Sequence, residues 1–277
     1  EECCFIDLQI DDMSAFVMDH TAYINQKLQS PSKEVNFRKL TEADQKLMME
    51  AMAREISEVL RSQSLRALRE YVPEDVLRER CLPMRWILTW KPLDAPEKPP
   101  TDGTPTVLRP DGLSKAKARV VLIGYKHPDL ARRDERTGRR QLQTSAPTLS
   151  RIGRQQFLQA VALDEHELES ADAKSAFLQA DEGIGTDAIF TYGVPELQYA
   201  YGISRWEALQ VLGAFYGLTS APRIFWKDAD SKLVRNGARR HALDKCIWLV
   251  MDASNPELVV GRVASHVDDF LIAGDKN

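Results

Sequence analysis

The sequence predicts an α+β fold in which helices pack against one face of an antiparallel sheet. Two observations carry this prediction. Several stretches repeat apolar residues at three- and four-residue spacing, as amphipathic helices do, and short β-prone runs separate them. Near the C-terminus, three β-prone runs follow one another with turn residues between them, which is typical of an antiparallel meander. The 277 residues allow one large domain or two smaller ones.

Composition narrows the class of protein. With 43% hydrophobic and 28% charged residues, the chain is typical of a globular protein. No run reaches the ~20 apolar residues of a membrane helix, so we expect no membrane partner. The four cysteines have no metal-ligand spacing, so we predict no zinc site or disulfide framework and expect a reducing, cytoplasmic setting. The first residues lack an initiating Met and a signal-peptide pattern, and we expect a longer parent reading frame.

Charge is unevenly distributed along the chain. The net charge is −4, but eleven Lys or Arg residues and only three acids lie between Ser114 and Gln155. A basic segment in an acidic chain is a candidate phosphate-binding surface. A solvated loop is the alternative, because runs of like charge usually face water.

The N-terminal elements are an arm, two helices and a strand. Residues 1–40 carry no clear pattern, and we predict an arm or linker there. Thr41–Asp44 is an acidic variant of the capping box, and the apolar spacing behind it predicts a helix that extends to Leu60. A second helix is predicted over Leu65–Tyr71. Alternation over Met84–Lys91 predicts a half-buried strand.

Two loops divide the middle of the chain. Pro92–Gly112 contains six prolines and is predicted to be a long loop, because proline fits neither a helix interior nor a central strand. The loop would connect the preceding strand to a partner strand over Ala118–Tyr125. His127–Gln143 is a second, highly charged loop, and Leu149–Ala162 returns to helical spacing.

The C-terminal half is predicted as strand and helix followed by a meander. One strand ends near Asp172, and a turn or short helix after it carries Phe177. Ala221–Pro222 opens a helix that Asn236–Gly237 closes. The three final strands are Cys246–Met251, Leu258–His266 and Phe270–Ala273.

Carboxylates concentrate at two of these strand ends. Asp172 ends one strand, and Asp268–Asp269 lies at the junction of the last two. Adjacent ionised carboxylates repel each other and a divalent cation removes that cost, whereas a solvated turn is the alternative. If the strands are neighbours, three carboxylates converge. Oxygen ligands without His or Cys suit Mg²⁺ or Mn²⁺, and a pair of such ions is the general machinery of phosphoryl transfer.

Five sequence blocks occur in a fixed order. They are Lys117–Tyr125, Thr144–Thr148, Asp172–Gln179, Ala214–Trp226 and His266–Gly274. In this order they resemble the KARLVARGF, TFAPV, DVKTAFLNG, ALYGLKQAPRAWY and YVDDILITG motifs of the reverse transcriptases of copia-type LTR retrotransposons. Two upstream segments, Ala51–Glu55 and Trp86–Lys91, are also similar to that family. The resemblance covers about residues 45–275.

The resemblance implies a right-hand polymerase with an antiparallel palm sheet backed by helices and a fingers subdomain. Residues 41–277 would form the reverse transcriptase domain, with 41–165 mainly fingers and 166–277 mainly palm. The thumb and any RNase H domain of the parent polyprotein would lie outside this sequence. The implied activity is RNA-directed DNA polymerase, a nucleotidyltransferase that adds deoxynucleoside triphosphates to a primer on an RNA or DNA template. The implied location is cytoplasmic, in a virus-like particle.

The resemblance also implies the catalytic residues. Asp172, Asp268 and Asp269 match the triad that binds two Mg²⁺ or Mn²⁺ ions, with Asp269 the less direct ligand. His266 stands where the family has a Tyr, and an imidazole stacks less well than a phenol and can titrate near neutral pH. The alternative to an active polymerase is a catalytically inactive transposon remnant that only binds nucleic acid or a partner.

Five further residues match the family's nucleotide pocket. Lys117 and Arg119 match the fingers cations that hold the incoming triphosphate, for which the arginine fork is suited. Phe177 matches the aromatic residue that closes the sugar pocket against a ribose 2′ hydroxyl. Tyr216 and Gly217 match the segment beside the nucleotide and template. Core packing is the alternative for both aromatic residues.

Overall fold

The structure, a computed structural model, describes residues 34–93, 106–180 and 188–275. Most of the predicted arm at residues 1–40, and much of the proline-rich loop, lie outside these ranges. The chain forms two compact units. The first contains Ile87–Ala118 and the residues up to Ala51, and the second contains Met52–Trp86 and Arg119–Asn277. The predicted fingers and palm boundaries stay a prediction.

The described residues have a mixed α+β composition, with five helices and ten strands. The helices are α1 (Glu42–Ser62), α2 (Glu74–Arg80), α3 (Arg151–Leu163), α4 (Pro195–Tyr201) and α5 (Ala221–Arg235). The strands are β1 (Leu65–Ala67), β2 (Met84–Pro92), β3 (Ser114–Leu122), β4 (Glu167–Asp172), β5 (Ile189–Thr191), β6 (Leu209–Val211), β7 (Ala238–Arg240), β8 (Ile247–Met251), β9 (Val259–His266) and β10 (Asp269–Gly274). None of these helices combines the length and apolarity needed to span a membrane.

The strands form three sheets in the described ranges. Their orders are β1-β6-β5, β4-β10-β9-β8-β7 and β2-β3. The pairs of the first two sheets are antiparallel, which confirms the predicted sheet type and the C-terminal meander. The pairing of β2 with β3 confirms the predicted partnership across the proline-rich loop.

The first unit contains a small core and a partly buried ion pair. Helix α1 starts where predicted, and the Thr41 hydroxyl accepts a hydrogen bond from the Asp44 amide at 3.2 Å. The Asp44 carboxylate in turn accepts hydrogen bonds from Nε and Nη2 of Arg109, at 3.1 and 2.9 Å. The same guanidinium lies 3.9 Å from the centre of the Trp90 ring. Buried apolar side chains complete this unit, among them Met48, Leu88, Leu108 and Ala116.

The predicted helix over Leu65–Tyr71 is wrong. Leu65–Ala67 is strand β1, which pairs with β6 from Leu65 opposite Val211 to Ala67 opposite Leu209. The apolar run is too short for its periodicity to distinguish a strand from a helix, so the distant partner strand decides its conformation. The side chains of Leu65, Leu209 and Val211 then join the main core of the second unit.

The five-stranded sheet lies between two helices. Phe157 and Val161 of α3 pack on Ile247 and Ala264. Helix α5 contributes Trp226, Leu233 and Val234 to a separate cluster that contains Trp248 and Val263. Successive residues of a strand point to opposite faces, so Ile247 and Trp248, like Val263 and Ala264, face different helices. The expectation that helices cover only one face is therefore wrong, because adjacent strand residues are both apolar and both faces need cover.

An ion pair fixes the end of α5 against the sheet. Asp230 of α5 accepts two hydrogen bonds from the Arg240 guanidinium, each at 2.7 Å, and one from the Trp248 indole at 3.0 Å. The pKa of Asp230 is lowered, mainly by the hydrogen bond from Arg240. These bonds attach helix α5 to β7 and β8. Nearer the N-terminus of the helix, the Phe225 ring contacts Phe270 of β10.

Candidate metal and nucleotide site

The ends of β4 and β10 bring the predicted acids together. The two strands are direct neighbours, and Asp172 is the register partner of Asp269. Directly opposed residues of an antiparallel pair share one face, with Cβ atoms about 4.5–5.5 Å apart. The expectation that these strand ends are neighbours is therefore confirmed. It is Asp269, the predicted lesser ligand, that lies opposite Asp172.

Asp268 belongs to the turn between β9 and β10. His266 and Asp269 are register partners, so Val267 and Asp268 form a two-residue turn. Val267 has a φ of 62°. A positive φ at the first position is typical of a type II′ turn, where glycine is the usual residue, and it is unfavourable for a β-branched side chain. The Asp268 carbonyl accepts a hydrogen bond from the Ala173 amide at 2.9 Å, which joins this strained turn to the end of β4.

The three carboxylates have no partner cation among the residues that the structure describes. Asp172 and Asp269 are exposed and Asp268 is half-buried. In the ranges that the structure describes, no ion pair and no side-chain hydrogen bond reaches any of the three. Like charges directly opposite each other on a sheet are destabilising, so this arrangement favours the uptake of a cation. No group of three or more His, Cys, Asp or Glu residues in these ranges is arranged to hold a metal ion, so the ligand roles stay a prediction.

A line of aromatic rings lies next to the acidic turn. Phe270 follows Asp269 and contacts Phe225 edge to face, with ring centres 6.4 Å apart. Phe225 contacts Phe177 at 6.1 Å, and Phe177 contacts Tyr216 at 5.7 Å. Edge-to-face pairs at these distances are favourable and fix the orientation of each ring.

Phe177 is positioned by a tight turn after β4. Ser175 adopts a left-handed conformation, with φ 53°, and a short 3-10 helix follows over Ala176–Gln179. This confirms the predicted turn or short helix. Ala176 and Leu178 are buried, whereas Phe177 is only half-buried. Phe177 is thus held by its neighbours and still retains an accessible edge.

Arg119 lies over the last ring of this line. Its guanidinium carbon is 4.6 Å from the centre of the Tyr216 ring, a cation–π contact. Strand β3 reaches this position because the Leu122 amide donates to the Tyr216 carbonyl at 2.8 Å. Tyr216 itself is 6% exposed and belongs to the main core, so Arg119 lies against a buried ring. Core packing, the alternative for Tyr216, is therefore what the structure shows.

Glycine is required where β3 meets the segment after Tyr216. Gly217 has a φ of 88°, and a Cβ atom there would lie 2.0 Å from the Leu122 carbonyl oxygen. A Cβ atom at Gly124 would lie 2.1 Å from the Gly217 carbonyl oxygen. The two backbones touch, so the predicted site residue Gly217 acts through its missing side chain.

Tyr216 connects the acidic turn, the cation and the rings. Burial raises the pKa of its phenol, and the charge of Arg119 opposes that rise. Smaller influences are a hydrogen bond with the Ser175 side chain and the negative charge of Asp268, which raises the pKa further. The acidic turn is joined to this region by the backbone hydrogen bond from Ala173 to Asp268 and by the contact of Phe270 with Phe225.

The structure adds residues that sequence analysis did not select. Lys174 forms an ion pair with Glu58 of α1 at 2.9 Å, and its hydrogen bond is the main reason that the pKa of Glu58 is lowered. This contact fixes the segment between Asp172 and Phe177. The signal for Lys174 was present in the Asp172–Gln179 block, but no local pattern indicated its partner 116 residues away.

Two further residues that the sequence singled out are exposed. Lys117 is exposed and belongs to the first unit, whereas Arg119 belongs to the second, so a shared role at a triphosphate stays a prediction. His266 is exposed at the start of the acidic turn. Comparison with known proteins gave no match, neither to a protein-family model nor to a curated protein.

Proposed function

We propose that the chain is the reverse transcriptase domain of a copia-type retrotransposon, an RNA-directed DNA polymerase. The observation that carries this proposal is the pairing of β4 with β10, which sets Asp172 opposite Asp269 beside the Asp268 turn. Three neighbouring carboxylates without a protein cation supply the oxygen ligands that hard divalent ions bind. The ordered sequence blocks support the same proposal.

In this proposal the carboxylates hold two divalent cations. Asp172, Asp268 and Asp269 offer only oxygen ligands, which fits Mg²⁺ or Mn²⁺ better than a softer metal. When bound, the ions supply charge neutralisation at the primer 3′ oxygen and at the leaving pyrophosphate. The side chains of the protein position these groups and form no covalent bond with them.

Arg119, Phe177 and Tyr216 would bind the incoming nucleotide. Arg119 would offer its fork to the triphosphate, since the contact with Tyr216 holds the guanidinium in place. Phe177 would pack against the sugar and exclude a ribose 2′ hydroxyl. Gly217 would let β3 approach the pocket.

The proposed palm is the five-stranded sheet with the acids at one end. Helices α3 and α5 pack on its two faces, and the β9–β10 turn lies at the end of the sheet that carries the carboxylates. The fingers would be formed mainly by residues 41–165. Their basic segment would face the nucleotide and the template.

Primer extension on an RNA template tests this function. With Mg²⁺ or Mn²⁺, the protein should add deoxynucleotides in the order that the template dictates. Asp268→Asn should abolish extension, because it removes a charged ligand and keeps the shape of the side chain. Glu257→Gln is the matched control, since it neutralises an exposed carboxylate in the turn before β9. Equal activity in the Asp268→Asn variant would refute the metal assignment.

One observation favours the alternative of an inactive remnant. His266 occupies the position of the family's Tyr and is exposed at the acidic turn. A remnant would bind primer–template and add no nucleotide under any metal condition. Restoration of extension by His266→Tyr would trace the inactivity to this residue, whereas continued inactivity would favour a binding-only protein.

A further inference from the structure

The charged loop after β3 folds into a compact arginine hairpin, residues 132–141. Arg133 and Arg140 form an antiparallel bridge. The Gln141 amide donates to the Arg132 carbonyl at 3.0 Å, and the Asp134 amide donates to the Arg139 carbonyl at 2.8 Å. The segment that the sequence predicted as a highly charged loop therefore contains an isolated antiparallel bridge and a hydrogen-bonded turn.

The Asp134 side chain forms hydrogen bonds within the hairpin turn. The Asp134 carboxylate accepts hydrogen bonds from the Thr137 amide at 2.7 Å and the Thr137 hydroxyl at 2.8 Å. These contacts lower the pKa of Asp134. The Arg133 guanidinium donates to the Gly138 carbonyl at 3.0 Å and closes the turn. The fold of the hairpin thus depends on Asp134 and Arg133 and leaves other arginines at its surface.

The arginine hairpin is a concentrated positive surface on an acidic protein. It contains five arginines and two acids, whereas the whole chain has a net charge of −4. Every residue of the hairpin is exposed. In the described parts of the chain, Arg136, Arg139 and Arg140 form no ion pair. Their charges point to solvent, where they can meet a polyanion.

The root of the hairpin is fixed by a buried ion cluster. Arg132 contacts Glu79 of α2 and lies 3.1 Å from the Asp129 carboxylate. Asp129 is 2% exposed and accepts both fork nitrogens of Arg80, at 2.8 and 3.2 Å. On the other side, the buried side chain of Leu142 anchors the returning strand. The hairpin therefore projects from a rigid base.

The short connection to β3 keeps this base close to the candidate site. The backbone at Gly124 touches Gly217, which adjoins Tyr216. Asp129 is the fifth residue after Gly124, and a chain of that length spans at most roughly 18 Å. A nucleic acid strand bound at the aromatic surface would pass within reach of the hairpin.

We propose that the arginine hairpin is an accessory binding element for the phosphate backbone of a nucleic acid strand. All of its residues are exposed, so it suits an extended polyanion better than a small phosphate ligand, which needs a concave site. The guanidinium fork matches a phosphate group in shape and charge. The choice of nucleic acid over an acidic protein rests on the proposed polymerase function of the neighbouring site.

The test compares two triple variants of equal charge change. Arg136→Gln, Arg139→Gln and Arg140→Gln remove three hairpin charges and keep Arg132 and Arg133. The control variant carries Lys227→Gln, Arg235→Gln and Arg239→Gln, three exposed cations of α5 and β7. Fluorescence anisotropy measures the binding of a labelled single-stranded RNA in EDTA over a series of salt concentrations. The absence of metal and nucleotide separates this readout from catalysis.

We expect the hairpin variant to bind RNA roughly tenfold or more weakly at low salt, with a salt slope shallower by about 0.7 for each lost contact. The control variant should bind like the wild type. A third variant, with lysine at the same three hairpin positions, should keep most of the affinity and the salt slope, because the charges remain.

Several outcomes would overturn the proposal. They are equal loss in the hairpin and control variants, no RNA binding by the wild type, and competition by polyglutamate as strong as by RNA, which would point to an acidic protein. Hairpin-dependent RNA binding without primer extension would refute the polymerase function and support the hairpin. Primer extension together with RNA binding that does not depend on the hairpin would support the polymerase function and refute the hairpin proposal.

Discussion

Asp129 and Asp172 belong to the same unit of the molecule, but the Asp129 carboxylate is paired with arginines, whereas Asp172 lies opposite another aspartate. Asp129 is buried and receives both fork nitrogens of Arg80, with Arg132 at 3.1 Å. Its pKa is lowered, mainly by the hydrogen bond from Arg80. Asp172 is exposed and lies opposite Asp269, and no cation pairs with it among the described residues.

The difference separates a structural use of carboxylates from a ligand-binding use. A buried carboxylate must be paired inside the protein, because water cannot solvate it. The acidic turn lacks such a partner and stays open to solvent, so its repulsion is relieved only by a cation from outside. Removal of a carboxylate should therefore have opposite effects on stability in the two clusters.

The largest effect is expected in the buried cluster. Asp129→Ala should lower the free energy of unfolding by about 3–5 kcal/mol, because it leaves the Arg80 guanidinium buried without its counter-ion. Chemical denaturation measures this loss. The paired replacement Asp129→Leu with Arg80→Met should recover part of the stability. A loss below about 1 kcal/mol for Asp129→Ala would contradict a buried, essential pair.

The acidic turn should show loss of activity without loss of stability. Asp268→Asn should reduce the rate of primer extension by about 10²–10³-fold or more, the scale of losing one transition-state stabilising group. The midpoint of thermal unfolding in EDTA should stay unchanged or rise, since one repulsive charge is removed. Lower stability of this variant would show that the carboxylate has a protein partner.

Arg119 extends the comparison from carboxylates to cations, because it lies at the candidate nucleotide site, whereas Arg80 is buried with Asp129. Arg119→Gln should raise the KM for the deoxynucleotide about tenfold and leave stability within about 1 kcal/mol, the scale of one cation–π contact. Arg119→Lys should retain part of the affinity. Steady-state primer extension at varied nucleotide concentration measures both. A fall in kcat with unchanged KM would argue against a role in triphosphate binding.

The smallest expected effect is a pH dependence that belongs to the buried cluster alone. The His127 side chain is fully buried next to Asp129, and burial lowers its pKa below the ordinary 6.5, with Arg80 acting in the same direction and Asp129 opposing it. As pH falls below 6.5, the unfolded state binds a proton that the folded state resists. Stability should therefore decrease by up to about 1.4 kcal/mol per pH unit until the lowered pKa is reached.

His127→Asn removes this proton-linked loss. The Asn side chain can still accept from the Asp129 amide, which donates to His127 Nδ1 at 3.2 Å in the native protein. Urea denaturation between pH 7 and 5 should give a flatter curve for this variant. His266→Asn, at the exposed acidic turn, is the matched control and should keep the wild-type loss. Parallel curves for His127→Asn and the wild type would refute this source of acid sensitivity.

The sequence was most informative where a local pattern determined a local structure. The apolar spacing after Thr41 located α1, alternation located β2, and the β-prone run before the acidic turn located β9. The neighbouring positions of Asp172 and Asp269 followed from the block order, although their register did not. The metal roles, the nucleotide contacts and the polymerase activity stay predictions.

Sequence reasoning was weakest where distant residues determine the structure. Leu65–Ala67 is a strand because β6 pairs with it, and no nearby residue indicates that partner. Arg80 and Asp129 are separated by 49 positions, so the burial of each had no sequence signal. The sequence did not predict that helices cover both faces of the main sheet. Adjacent strand residues such as Val263 and Ala264 are both apolar, and a short apolar run does not show whether one face or both faces of a strand are buried.

The contact of Gly124 with Gly217 has a consequence for mutational tolerance. Any side chain at either position would separate β3 from the segment that follows Tyr216, because each Cβ would overlap a backbone oxygen. In a library of random variants selected for function, both positions should tolerate as few replacements as the acids. Gly202 is the contrasting case, because it has a similar backbone angle and open space around it, and it should accept asparagine or alanine far more readily.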